Sequence, residues 1–362
     1  MLAPMSRVLV IGPGDMGTRI ARGLAAAGIV RELVLVGLPP GAADESIGLI
    51  RSTTDVAVRF EPVDCTSQAA VEDVIARARP DLIVQCASLL SPWALIDRAD
   101  PTARAFAAAG LGVALPMQLP ILLATMRAVR ATGFGGPVAN LSFPDVTNTL
   151  LARLGLAPTV GLGNVTMQLL RIRGALRAEL GADAELPLVR VLGHHNQVYG
   201  VMRAELPADA SERVRVFLGE DGRRADELAY AGHPFAPGIV YNRVTETACV
   251  LTLRALLRGD ERTRISVPGP LGLPGGYPVA IDHGRVELDL PPGQSLDEAI
   301  EWMQRIGRHD GVEAIADDGT VTFSESARLA VATIAPWLTE PLHPDQACER
   351  AARIRRLLDA SA

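Results

Sequence analysis

Lysine is absent from this 362-residue chain: all 35 of its basic residues are arginine. That absence excludes Schiff-base chemistry on a lysine, a phosphate-binding loop of the GxxxxGK[ST] type and the lysine-dependent dehydrogenase mechanisms. Cysteine is scarce, and Cys65, Cys86, Cys249 and Cys348 lie far apart with no CxxC pair and no histidine at ligand spacing. A zinc site and a disulfide framework are therefore not expected, and reduced thiols in a cytoplasm fit best. Surplus positive charge is missing too. With a net charge of -6 and arginines dispersed along the chain, a phosphate backbone is not an expected partner. No signal-peptide pattern precedes the first apolar run. The one long uncharged stretch, residues 105–126, is interrupted by Gly110, Gly112, Pro116, Gln118 and Pro120. It reads as buried strand and loop giving way to a helix from about Leu119 to Ala131, with no membrane segment expected.

What remains is the composition of a globular protein, 48% hydrophobic and 21% charged, long enough for about two domains. Its first chemistry-bearing segment runs from Arg7 to Gly37. Val8-Leu9-Val10-Ile11 is a short buried strand, Gly12-Pro13-Gly14-Asp15-Met16-Gly17 follows, a helix runs from Thr18 to Ala27, and Leu33-Val34-Leu35-Val36 is a second strand. Between two strands, GxGxxG is a dinucleotide-binding turn. Gly12 permits the tight turn, Gly14 lets backbone N–H groups approach a pyrophosphate, and Gly17 lets helix and strand pack closely, while the helix N-terminus favours the negative charge. Asp15 and Met16 belong to the same cradle. An NAD site ordinarily places an acidic residue about 20 residues past the glycines. Here that position is Gly37, so NAD and NADP are both admissible. Strands and helices alternate onward to Asp81–Cys86, which implies a Rossmann-type, doubly wound parallel sheet with ligands at the carboxyl ends of its strands. Ala87 and Ser88 would then face the cofactor.

From Gly136 the signals become more specific. A strand ends in Asn140-Leu141-Ser142-Phe143-Pro144-Asp145, a turn Gly155 to Asn164 follows, a helix carries Arg171-Ile172-Arg173, and a strand from Val189 leads into Gly193-His194-His195. With the glycine-rich start, this succession resembles the lactate/malate dehydrogenase family, over about half of the chain. The resemblance implies an α/β fold, with a Rossmann domain at 1–146 and an α+β substrate domain of lactate/malate dehydrogenase type at 147–340; in the remainder, 341–362, the amphipathic, Arg-studded pattern of residues 345–360 reads as a C-terminal helix able to pack on a partner subunit. The resemblance also implies a homodimer or homotetramer and an NAD(P)-dependent oxidoreductase moving hydride to or from a small carboxylate-bearing hydroxy, oxo or imine substrate.

Carried over residue by residue, the resemblance makes His195 the general acid/base, a role that suits an imidazole because both of its protonation states are accessible near neutrality. Arg171 would hold the substrate carboxylate, Asn140 would lie beside the nicotinamide and the substrate oxygen, and His194 would adjoin the substrate. The carboxylate that orients the histidine in that family falls at Gln168, which is neutral; Asp145 or another acid would have to substitute. The Arg-bearing loop after the fourth strand becomes Leu89-Leu90-Ser91-Pro92-Trp93, with no arginine, so lactate and malate are not the expected substrates. His233, in the loop before the helix Tyr241–Leu257, is a reserve candidate. Two other readings stand beside this one: an epimerase or lyase that uses the dinucleotide internally, and a non-catalytic dinucleotide-binding protein.

Overall fold

The computed structural model describes residues 6–38, 41–235, 238, 240–258 and 261–361. Its N-terminal part alternates β1 (Ser6–Ile11), α1 (Asp15–Ala26), β2 (Val30–Gly37), α2 (Gly41–Thr53), β3 (Ala57–Pro62), α3 (Gln68–Ala78) and β4 (Leu82–Gln85). There follow α4 (Pro92–Ile96), α5 (Pro101–Ala109), α6 (Leu115–Thr132), β5 (Val138–Asn140), α7 (Pro144–Arg153) and β6 (Val160–Gly161). The six strands form one parallel sheet in the order β3-β2-β1-β4-β5-β6. The order reverses between β1 and β4, and the crevice at such a switch point is where these sheets bind ligands. Because β6 belongs to the sheet, the cofactor-type domain reaches past residue 146.

Two-residue periodicity splits each central strand between two cores. Leu9, Ile11, Val34 and Ile83 face one core together with α3 and α6. Val8, Val10, Leu33 and Val84 face the other, against α1 and the second half of the chain. That half contains α8 (Val165–Leu180), β7 (Val189–Leu192), α9 (Val198–Arg203), β8 (Arg215–Leu218), β9 (Arg223–Arg224) and α10 (Tyr241–Leu257). It continues with β10 (Thr263–Pro268), β11 (Gly276–Asp282), β12 (Arg285–Leu288) and α11 (Leu296–Gly307). β7-β8-β9 and β10-β11-β12 are antiparallel sheets, joined by a bridge between Gly193 and Gly276.

Three sequence expectations change. The stretch before Leu119 is helical rather than strand and loop, and the helix expected from Leu119 starts at Leu115: Pro116 sits in the first turn of α6, where its missing N–H has no intrahelical partner to lose, and Pro120 is tolerated inside the buried helix. The C-terminal segment folds back onto its own chain. After the hairpin β13 (Val312–Ile315) and β14 (Val321–Phe323) come α12 (Glu325–Val331) and α13 (Ala347–Ala360), whose buried face, Ala351, Ile354 and Leu358, joins the core shared with α6. The apolar side of the last helix is thereby used within the chain. The helix of the glycine-rich turn also begins earlier than expected, at Asp15, directly after Gly14.

Candidate active site

At the glycine-rich turn each glycine has a separate steric reason. A Cβ on Gly12, whose φ is +92°, would lie 2.6 Å from the backbone of Ala87, and one on Gly17 would lie 2.0 Å from the Gly12 carbonyl oxygen. A Cβ on Gly14 would meet nothing within 4 Å. Gly12 and Gly17 are thus required by the fold, whereas Gly14 opens on empty space at the N-terminus of α1, the shape and dipole that an anionic pyrophosphate fits. The Asp15 carboxylate is drawn aside: Arg19 donates to it at 2.8 Å and Asn242 on α10 at 2.7 Å. Met16 packs on the apolar core. Gly37 is packed against the turn, since a Cβ there would come within 2.7 Å of Pro13 Cδ. Pro13 therefore takes the space in which the usual acidic side chain would begin. At the end of β4 the Ala87 carbonyl accepts from Gln85 and from Ser142, and the Ser88 hydroxyl donates to the Leu90 carbonyl.

His195 stands just past the Gly193–Gly276 bridge, where β7 ends. Its Nδ1 lies 2.8 Å from Oδ2 of Asp310, and its side chain keeps 25% of its surface exposed while that of Asp310 keeps 7%. The same carboxylate oxygen is 3.3 Å from Nδ1 of His194. Burial alone would raise the Asp310 carboxyl, but the two imidazoles, His195 foremost, hold it well below the usual carboxylate range. Burial likewise opposes the charge on His195, yet Asp310, with a smaller contribution from Asp145, pushes its pKa above the ordinary value. Asp145 acts through the backbone, accepting the His195 N–H at 3.2 Å, and is bonded also by the Asn164 side chain. Phe143 meets the imidazole edge-on, with centroids 5.3 Å apart.

The backbone around Asp310 is clasped by glycines. A Cβ on Gly110 would stand 2.6 Å from the Asp310 backbone, one on Gly112 2.7 Å from its carbonyl oxygen, and one on Gly311 2.3 Å from the Ala109 carbonyl oxygen. Close backbone approach between the end of α5 and the turn after α11 thus fixes where the carboxylate stands. Sequence reading passed over Asp310; its only local signal is an acid between a helix end and a glycine.

The other residues singled out from the sequence separate into groups. Gln168 does not reach the His195 ring: its Nε2 donates to the His194 carbonyl at 3.1 Å, and a Cβ on Gly193 would lie 2.0 Å from its Oε1. The position thought to orient His195 is a backbone clasp, and Asp310 from another element supplies the carboxylate. His194 is 2% exposed and fits between Gly275 and Gly307, so it faces the interior rather than a substrate. Asn140 is fully buried, and its amide is spent on Thr147 and Asn148 while its oxygen accepts the Ser142 N–H, which builds the turn after β5 rather than lining a cleft. Arg171 stacks over Phe235 at 4.8 Å, and its Nε is shielded from solvent with no hydrogen-bond partner among the described residues. His233 is exposed on the neighbouring loop, in which Ala236 and Pro237 lie outside the described residues.

The segment after β4 is fastened at several points. The Leu89 N–H donates to Met117 and its carbonyl accepts from Arg355 on α13, Gln118 donates to the Leu90 carbonyl, and the Trp93 indole N–H donates to Asn242 at 3.1 Å. Asn242 thereby joins Trp93 to Asp15 and the glycine-rich turn.

No protein-family model matches this chain, and no curated protein matches it. Solved structures do resemble it. A malate dehydrogenase from Picrophilus torridus has a TM-score of 0.53 at 14% identity, over 84% of this chain and 96% of that one. A lactate dehydrogenase from a Medee basin deep-sea metagenome gives 0.51 at 13% identity, over 84% and 99%. The minor L-lactate dehydrogenase of Enterococcus mundtii gives 0.50 at 15%, over 84% and 96%. The likeness is one of fold: a Rossmann sheet followed by an α+β domain, as those enzymes have.

Proposed function

We propose that this chain is an NAD(P)-dependent oxidoreductase that interconverts a small carboxylate-bearing hydroxy compound and its oxo (or imine) form, with His195 as the general acid/base. The observation that carries this reading is the His195–Asp310 pair, one quarter-exposed imidazole held by a buried carboxylate in a fold that also presents an open, dipole-lined glycine turn. The dinucleotide would be held by backbone N–H groups at Gly14, Asp15 and Met16, beside Ala87 and Ser88, and when bound it supplies the hydride acceptor or donor. Gly37 leaves the choice between the two nicotinamides to residues beyond the end of β2.

His195 does the rest of the chemistry. With Nδ1–H donated to Asp310, its Nε2 is left to take the proton of a substrate hydroxyl, and the carboxylate stabilises the imidazolium that results. In the reverse sense the imidazolium returns that proton to the substrate oxygen. Asp145 keeps the backbone of His195 in register, and Phe143 fixes the tilt of the ring. Purified protein is expected to consume or form reduced nicotinamide with 2-oxo or 2-hydroxy acids, followed by its absorbance, and His195→Ala should lower kcat by about 10²-fold or more. Unchanged turnover in that variant would remove His195 from the mechanism.

A further inference from the structure

We propose that His194 is a positioning residue for the acid/base: it donates Nδ1–H to the same Asp310 oxygen that meets His195, which fixes that oxygen against the outer ring and divides its charge between two imidazoles. This rests on the oxidoreductase reading and deepens its site.

One carboxylate oxygen serves both rings. Oδ2 of Asp310 lies 2.8 Å from Nδ1 of His195 and 3.3 Å from Nδ1 of His194. The rings differ in access, since the His195 side chain keeps 25% of its surface exposed and that of His194 only 2%. The inner ring therefore acts on a substrate only through Asp310. Its Nδ1 has a second neighbour, the Asn196 N–H at 3.5 Å. A single ring nitrogen donates to the carboxylate or accepts from that N–H, and cannot do both. The shorter contact and the charge on its acceptor favour donation to Asp310.

The inner imidazole is held in this orientation from several sides. The His194 N–H donates to Gln197 Oε1 at 2.9 Å, and the His194 carbonyl accepts from Gln168 Nε2 at 3.1 Å. A Cβ on Gly275 would stand 3.3 Å from its Cδ2, and one on Gly307 3.3 Å from its Nε2. Gln168, where the resembling family carries its orienting carboxylate, thus supports the inner imidazole instead. Because glycines 110, 112 and 311 clasp the Asp310 backbone as well, joining the two side chains costs little further ordering.

Burial opposes the charge on His195, while Asp310 and Asp145 favour it. Tyr199 on α9 lies within range of the Asp310 charge, and His309, next to Asp310, is turned to Glu212 at 3.0 Å. A hydrogen bond from His194 draws off part of the charge on Oδ2, so the imidazolium of His195 is favoured less than it would be by an unshared carboxylate. The outer ring then remains an available base closer to neutrality.

The test follows the imidazole resonances of the isotope-labelled full chain by NMR across pH. His194→Leu removes the donor and should raise the midpoint of the His195 titration by about 0.5 or more in pH, whereas His194→Asn, whose amide N–H stands about where Nδ1 stood, should leave it within about 0.2. The rise of kcat/KM for oxidation of a 2-hydroxy acid should move in step. A midpoint that does not rise in His194→Leu, or that rises equally in both variants, overturns the inference. The wild type decides it even if neither variant folds: at a pH of about 8 the proton of His194 should sit on Nδ1, and a proton on Nε2 alone overturns the inference. Should no 2-hydroxy or 2-oxo acid be turned over, the oxidoreductase reading fails for those acids, while the two NMR measurements still decide whether His194 acts on the pair.

Discussion

Nδ1 of His195 and Oδ2 of Asp310 stand 2.8 Å apart, although 115 residues separate them in the chain. One residue lies three positions past β7 and the other follows α11, so the pair forms only when the second domain and the segment held against α5 are both folded.

Gln168 provides a direct contrast. An aspartate at this position would face the His194 carbonyl and the Gly193 backbone rather than an imidazole. Gln168→Asp is therefore expected to lower the unfolding free energy by about 3 kcal/mol or more, as a buried charge without a partner does, and to give no gain in activity. Denaturant unfolding and steady-state rates check both halves.

The pair also sets a pH dependence of stability. The lowered Asp310 pKa contributes stability that is present above the ordinary carboxylate value of 3.8 and is lost as the pH falls through the lowered one. The raised His195 pKa contributes stability present below the ordinary 6.5 and lost as the pH rises through the raised value. The stability difference between the wild type and Asp310→Asn should thus be greatest between these two ordinary values and shrink on either side. Urea titrations across pH measure it; a flat difference would mean that the pair is not ionic.

The three turn glycines should behave differently. Gly14→Ala adds a methyl group to open space at a backbone φ of -76° that alanine accepts. Its melting temperature is expected to stay within about 2 °C of the wild type while dinucleotide affinity falls at least about tenfold, because the methyl occupies the pyrophosphate approach. Gly12→Ala and Gly17→Ala meet backbone atoms and should lose stability outright. Thermal unfolding with and without NADH or NADPH separates the two classes.

Asn242 is 4% exposed and bridges Trp93 to Asp15. Asn242→Leu leaves the indole N–H and a carboxylate oxygen without their partner, at a cost of about 1–3 kcal/mol. Dinucleotide and substrate KM should both rise, since one side chain ties the cofactor turn to the segment after β4.

Much of the fold was legible because its signals are local. Apolar runs of four describe β1 and β2, shorter apolar stretches before helical patterns mark β3 and β4, and the glycine spacing locates the turn at the β1/β4 reversal. His195 was legible as a polar residue at a strand end after a glycine. Asp310 was not, because nothing near it in sequence indicates that glycines at 110, 112 and 311 bring it beneath an imidazole. Asn140 misled for a related reason: a strand-end amide can face a ligand or close its own turn, and only Thr147 and Asn148, seven and eight residues along, decide that it does the latter. The body of α6, from Leu119, was legible, but its start at Leu115 was hidden by two prolines, which usually end helices and here lie in its first two turns.

The pH dependence of kcat/KM for oxidation of a 2-hydroxy acid, compared between the wild type and Asp310→Asn, tests the central claim most directly. Oxidation requires neutral His195, so the rate should rise as the pH passes its raised pKa. With the carboxylate removed, that rise should move to lower pH and the plateau should fall by about 10²- to 10⁴-fold. A variant whose plateau stays within about threefold of the wild type and whose rise does not move would contradict the assignment of Asp310 as the residue that positions and charges His195.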